Sequence, residues 1–338
     1  MTSCGKRTGV RCVASALAVV LTMCASSICA EVSLADSLGS AQSSLHMRPT
    51  TGWNELPDYR HERIVPWKLA TAIAGVGVYD LAFYQTLKKP WWSGETSRFH
   101  VINDWWGGYA LEVDKLGHAF AAQSLALISA ETYQWAGMTR REALFWGGVS
   151  SLATMTQIEV LDGFTAAYGF SPADYTANIV GAFWPLAQEM WSPLNVVTFK
   201  MSYHTTRFEK AVAPNVMEDY NRQTYWLAFD VNRMLPEPTR DWWPDWLGVA
   251  VGYGVTNAFT YVSHREYDAI HPHRSYLVTR RPAHMMREYY VALDVDPTRL
   301  VPEHWWLHDL VRPLKYLHLP SPAIRFREDG TRFFALYF

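Results

Sequence analysis

Past residue 29 the chain has no cysteine; all four lie at positions 4, 12, 24 and 29 of its 338 residues. That removes a disulfide framework and a thiolate metal site from everything downstream. Charge is also scarce. Only 18% of residues are charged, below the usual quarter. The net charge is −2 and no basic stripe stands out, so nucleic acid is excluded as a partner. A mean hydropathy of −0.11 argues against a chain made mostly of membrane spans. No G-x-S-x-G nucleophile turn, no two-histidine helix motif and no internal repeat is found.

What remains is apolar and aromatic. Apolar residues make up 49% and aromatic residues 14%, with 16 tryptophans. Trp and Tyr are favoured where one end of a side chain is apolar and the other wet, as at membrane interfaces. The N-terminus has the form of an export signal. Lys6, Arg7 and Arg11 precede an apolar stretch from Val13 to Met23, too short for an ordinary span. Small residues follow, with cleavage expected after Ser27 or Ala30. Lipidation at Cys24 or Cys29 and an uncleaved anchor are the alternatives; the residues before both cysteines fit a lipidation signal poorly.

Four regions are expected: a signal peptide over 1–30, a linker over 31–66, a helical bundle over 67–200, and a β-rich region over 201–338 packed on the bundle. Leu69 to Leu87 reads as a helix closed by Pro90, and Leu116 to Trp135 as a second ended by Gly137. Thr139 with Glu142 makes a capping box for a third helix that stops at Gly163. Ser171-Pro172 opens a fourth that runs to about Trp191 and that Pro185 should kink. These stretches approach the length of a membrane span but each holds a polar residue. The reading adopted is helices at least partly in lipid with polar residues facing inward; a buried four-helix core is the alternative.

After residue 200 the period falls to two. Apolar residues alternate with small or polar ones around 225–231, 247–255, 289–295 and 324–327, and Asp329-Gly330 signals a hairpin into Phe334, Leu336 and Phe338. The expected fold is therefore α+β: about four apolar helices, then an antiparallel β-meander of about five strands. Strands ending on Phe338 resemble outer-membrane strands, but five are too few for a closed barrel.

Polar residues sit inside the apolar helices in pairs. Asp114 and His118 are four apart, Glu159 and Asp162 three apart, and Asp174 and Asn178 four apart, so each pair shares a helix face. Antiparallel packing brings the start of the second helix, the end of the third and the start of the fourth to one end of the bundle. Glu159 and Asp162 fall at a C-terminus, where the helix dipole disfavours acids, so Lys115 or His118 must neutralise them. His118, oriented by Asp114 or Asp174, has the chemistry of a general acid or base. Lys115, Glu159, Asp162 and Asn178 would bind, with Lys115 suited to an anionic group. A capping and salt-bridging scaffold without chemistry is the competing reading. No cofactor is required, but His118, Glu159, Asp162 and Asp174 would suit a divalent ion such as magnesium, manganese or zinc. His264, His271 and His273 read as a surface loop.

The motifs DKLGHAF (114–120), EVLDGF (159–164), YGFSPADYTAN (168–178) and DYNRQTYWLAF (219–229) resemble the YfiM-like family of bacterial envelope lipoproteins, domain of unknown function 2279. More distantly, their order of single residues resembles VanZ-type membrane proteins. The first resemblance implies an envelope protein and no agreed reaction. The expected function is a structural or ligand-binding envelope protein, exported to the outer membrane or its periplasmic face, with the inner membrane as alternative. Its partner would be a membrane lipid or cell-wall component, with oligomerisation through the β-region an option. The alternative function is an envelope hydrolase or transferase acting on lipid-linked or cell-wall substrates through His118 and the neighbouring carboxylates.

Overall fold

A computed structural model describes residues 63–107, 110–204, 217, 219–258 and 285–337. The expected signal peptide, most of the linker, the three histidines at 264, 271 and 273, and the terminal Phe338 lie outside the described residues.

The four long helices are α1 (Pro66–Trp92), α2 (Val113–Trp135), α3 (Arg140–Gly163) and α4 (Pro172–Met190). Their ends follow local chemistry. Gly137 takes φ 103° just after α2, a conformation that costs glycine little. Thr139 and Glu142 form the expected capping box of α3. The Ser171 side chain accepts from the Asp174 N–H with Pro172 at the first position of α4. Three ends differ from the sequence reading. Helix α1 begins at Pro66, earlier than Leu69, with proline in the first turn where its missing N–H costs nothing. Helix α1 continues two residues past Pro90 to Trp92, so the proline sits in its last turn and does not close it. Helix α2 begins at Val113, earlier than Leu116, because Leu111 and Glu112 adopt left-handed φ of 46° and 68° and turn the chain into it. Pro185 lies inside α4.

Small residues let the helices touch. A Cβ on Gly181 would lie 2.0 Å from the Ala119 carbonyl oxygen, and one on Gly147 would lie 2.4 Å from that of Ala126. Around these contacts Leu125, Met155 and Ile158 form one apolar cluster, and Leu127, Tyr133 and Leu144 another. Among the described residues no helix is long and apolar enough to cross a membrane. The expectation of helices partly in lipid is corrected to that extent: buried Asp80, Gln123, Glu159 and Gln188 interrupt them.

The second half is a six-stranded antiparallel meander in chain order: β1 (Val197–Tyr203), β2 (Gln223–Phe229), β3 (Leu247–Thr256), β4 (Met286–Val295), β5 (Ser321–Arg327) and β6 (Gly330–Tyr337). The five expected strands are all present and β1 is additional. Its buried positions are Thr198, Lys200 and Ser202, so its inward face does not look like a core strand.

The two faces of the sheet reverse the usual arrangement. The inward face carries Trp226, which is fully buried, with Tyr290, Tyr337, Lys200, Asp294 and Glu288. Trp226 stacks on His318 with centroids 3.9 Å apart, and Gly252 leaves room for it, since a Cβ there would meet the indole at 2.6 Å. Lys200 Nζ donates to Asp294 Oδ2 at 2.6 Å, and His318 Nδ1 lies 3.0 Å from Asp294 Oδ1. The outward face exposes Leu227, Val251, Val291, Ile324, Phe326 and Phe333. Helix α2 covers only part of it, through Leu116 and Phe120 against Phe199, Tyr225 and Val255.

Candidate functional site at one end of the bundle

The strained turn at Leu111–Glu112 is held by the sheet. Tyr253 Oη donates to the Leu111 carbonyl at 2.6 Å, and the Arg287 guanidinium pairs with Glu112 at 2.9 Å. The first turns of α2 then present Asp114, Lys115 and His118. The last turns of α3 bring Glu159, and the start of α4 brings Asp174 and Asn178. A loop before α2 completes the group. Ile102 N–H donates to the Phe170 carbonyl and Phe170 N–H to that of His100, each at 2.9 Å, which lays Asp104 over the start of α4.

Lys115 Nζ lies 2.7, 3.0 and 3.2 Å from Asp104, Asp114 and Asp174. Ser171 Oγ donates to Asp104 Oδ1 at 2.7 Å. His118 Nδ1 lies 3.1 Å from Asn178 Oδ1 and 3.3 Å from Glu159 Oε1. Glu159 also accepts from the Ser171 and Asn178 N–H groups, both at 3.4 Å. His118 is the most open member, with 22% of its side chain exposed; Glu159 and Asn178 are fully buried. Six of the seven residues singled out in the sequence thus converge. Asp162 stands at the margin, accepting from Trp92 Nε1 at 2.7 Å and acting on its neighbours through charge.

Electrostatics reflects crowding of like charge. Burial, then the Asp174 and Asp162 carboxylates, push Glu159 up to about 8, against the pull of His118. Burial and Asp174 also raise Asp114. Burial opposes charge on His118 and Lys115, but the surrounding carboxylates outweigh it and raise both. Among the described residues, the buried Asp114 Oδ1 and Asp174 Oδ1 accept no hydrogen bond.

Asp104 and Ser171 were the members that sequence reasoning missed as site residues. Ser171 registered only as a cap. Asp104 lies in a loop with no helical spacing to relate it to Lys115, and no signal in the sequence marks it.

No curated protein and no solved structure matches the chain. A family model does, over residues 104–187, from Asp104 nearly to the end of α4. It agrees with the first resemblance and gives the VanZ-type relationship no support. It names no reaction, and it speaks to the envelope without choosing between its membranes. Over the stretch that builds the cluster, the chain is similar to the predicted periplasmic lipoprotein family DUF2279, and that match supports an envelope location.

Proposed function

We propose that this is a membrane-seated binding protein of the bacterial envelope, at the outer membrane or its periplasmic face. The sheet provides the seat and the polar cluster the ligand site. The reversed polarity of the sheet carries the reading. Charged and hydroxyl side chains point inward while Leu227, Val291, Ile324 and Phe333 point out, the pattern of a surface facing lipid. The β2–β3 and β4–β5 connections leave the same end of the meander, and there Trp242 and Trp306 are 87% and 80% exposed, as residues of an aromatic belt are. The edges of β1 and β6 do not pair with each other. Hydrocarbon does not tolerate open edges, so the sheet lies at interfacial depth.

The test is flotation with vesicles of phosphatidylethanolamine and phosphatidylglycerol. It uses Cys24→Ser/Cys29→Ser protein, which removes both acyl acceptors. The protein should float, and Val291→Asp/Ile324→Asp should leave it in the soluble fraction at unchanged melting temperature. Equal flotation of both proteins would remove the sheet from the membrane contact.

A further inference from the structure

We propose that His118, Glu159 and Asp174 hold a divalent transition-metal ion, zinc or manganese, at the end of the bundle. The inference rests on the reading of the cluster as a binding site and is independent of the membrane contact. One donor atom from each of these residues lies within 4.8 Å of the other two. The His118 Nδ1–Glu159 Oε1 separation is 3.3 Å; two donors about 2.1 Å from a tetrahedral ion stand roughly 3.4 Å apart. One imidazole with two carboxylates is a donor set for a borderline ion, whereas magnesium prefers oxygen alone.

Charge points the same way. Asp104, Asp114 and Asp174 form a second triad of donors within 4.8 Å, but Lys115 already stands among them at 2.7 to 3.2 Å. Asp174 belongs to both triads, and one ammonium serves three carboxylates. On the Glu159 side the described residues offer only the imidazole, which can ligate instead. An independent observation is Asp174 Oδ1, which belongs to the triad itself. Asp174 is 8% exposed, yet among the described residues this oxygen accepts no hydrogen bond, although the Lys115 ammonium lies 3.2 Å away. A metal ion is the kind of partner it can take. The surroundings also suit a ligand set. The Ser171 and Asn178 N–H groups hold Glu159, as outer partners orient ligands in metal sites.

The experiment takes the full chain, strips it with a chelator and titrates it with zinc chloride or manganese chloride alone, by calorimetry. Saturable binding of one ion per chain is expected, weakened at least ~10-fold by His118→Ala and by Asp174→Asn. No saturable binding of either ion overturns the proposal, and so does binding unchanged in both variants. If the variants do not fold, the native chain decides. Pulsed electron paramagnetic resonance of bound manganese should show nitrogen coupling from one imidazole, retained in His264→Ala/His271→Ala/His273→Ala. Absence of that coupling, or its loss in the triple variant, overturns the assignment. Metal binding without flotation, or flotation without metal binding, tells the failure of one reading from that of the other.

Discussion

Lys200 and Lys115 both hold carboxylates, each for a different purpose. Lys200 and Asp294 are fully buried inside the curled sheet and pair at 2.6 Å. Breaking such a pair by removing one partner costs ~3–5 kcal/mol, because the other charge stays behind. Lys115 faces three carboxylates instead of one, so its end of the bundle carries surplus negative charge where the sheet carries a matched pair. The sheet's pair also sets up a pH response. Burial lowers the pKa of His318, and Lys200 reinforces that against the pull of Asp294. The folded chain therefore keeps His318 neutral at a pH where the unfolded chain, with an ordinary value of ~6.5, takes up a proton. The unfolded state binds more protons, so stability falls as pH drops below that ordinary value, by at most ~1.4 kcal/mol per pH unit. Urea unfolding at pH 7.5 and pH 5.5 should show a larger loss in the native chain than in His318→Gln. Equal losses would mean that His318 titrates alike folded and unfolded. At this scale the cluster was legible where helical spacing links residues, as in Asp114 with His118 and Asp174 with Asn178. Asp104 was not, because backbone pairing between two loops places it.

Among elements, the close contact of α2 with α4 decides the geometry of the cluster. Gly181 of α4 meets the backbone of α2 at Ala119, one residue beyond His118. In an exposed helix, replacing glycine by alanine would stabilise by ~1 kcal/mol. Here the new methyl would stand 2.0 Å from a backbone carbonyl oxygen, which no side-chain rotation relieves. Gly181→Ala should therefore destabilise by ~2 kcal/mol or more, and it should loosen the His118–Asn178 contact, since Asn178 precedes Gly181 by one turn on α4. Denaturant midpoints check the first effect. A stabilised variant would mean the helices stand further apart than the structure has them. Helices and strands were largely legible from caps, turn residues and period. Strand β1 was not, because Lys200 and Ser202 occupy its inward positions. The direction of the sheet was not legible either: alternation reports two unlike faces without saying which one meets the protein.

For the molecule as a whole, the chain reads as a helical half and a β half, but the two share a core. Phe120 of α2 packs against both Phe199 and Tyr225, with ring centroids 5.9 and 6.1 Å away. Gln123 Nε2 donates to the Phe199 carbonyl at 3.1 Å. Tyr253 and Arg287 fasten the turn from which α2 springs. The sheet thus sets the position of Asp114, Lys115 and His118, and a bundle freed from it would lose the turn that aims them. Cooperative unfolding follows from this sharing. Far-ultraviolet circular dichroism, dominated by the helices, and tryptophan fluorescence, which includes the buried Trp226, should follow one denaturation curve. Phe120→Ala should move both by the same amount, up to ~3 kcal/mol for a partly buried phenylalanine. If instead the variant lowered the far-ultraviolet midpoint while the amide hydrogens of β2–β4 kept their protection from exchange, the sheet would fold without the bundle. The cluster would then owe its geometry to the helices alone.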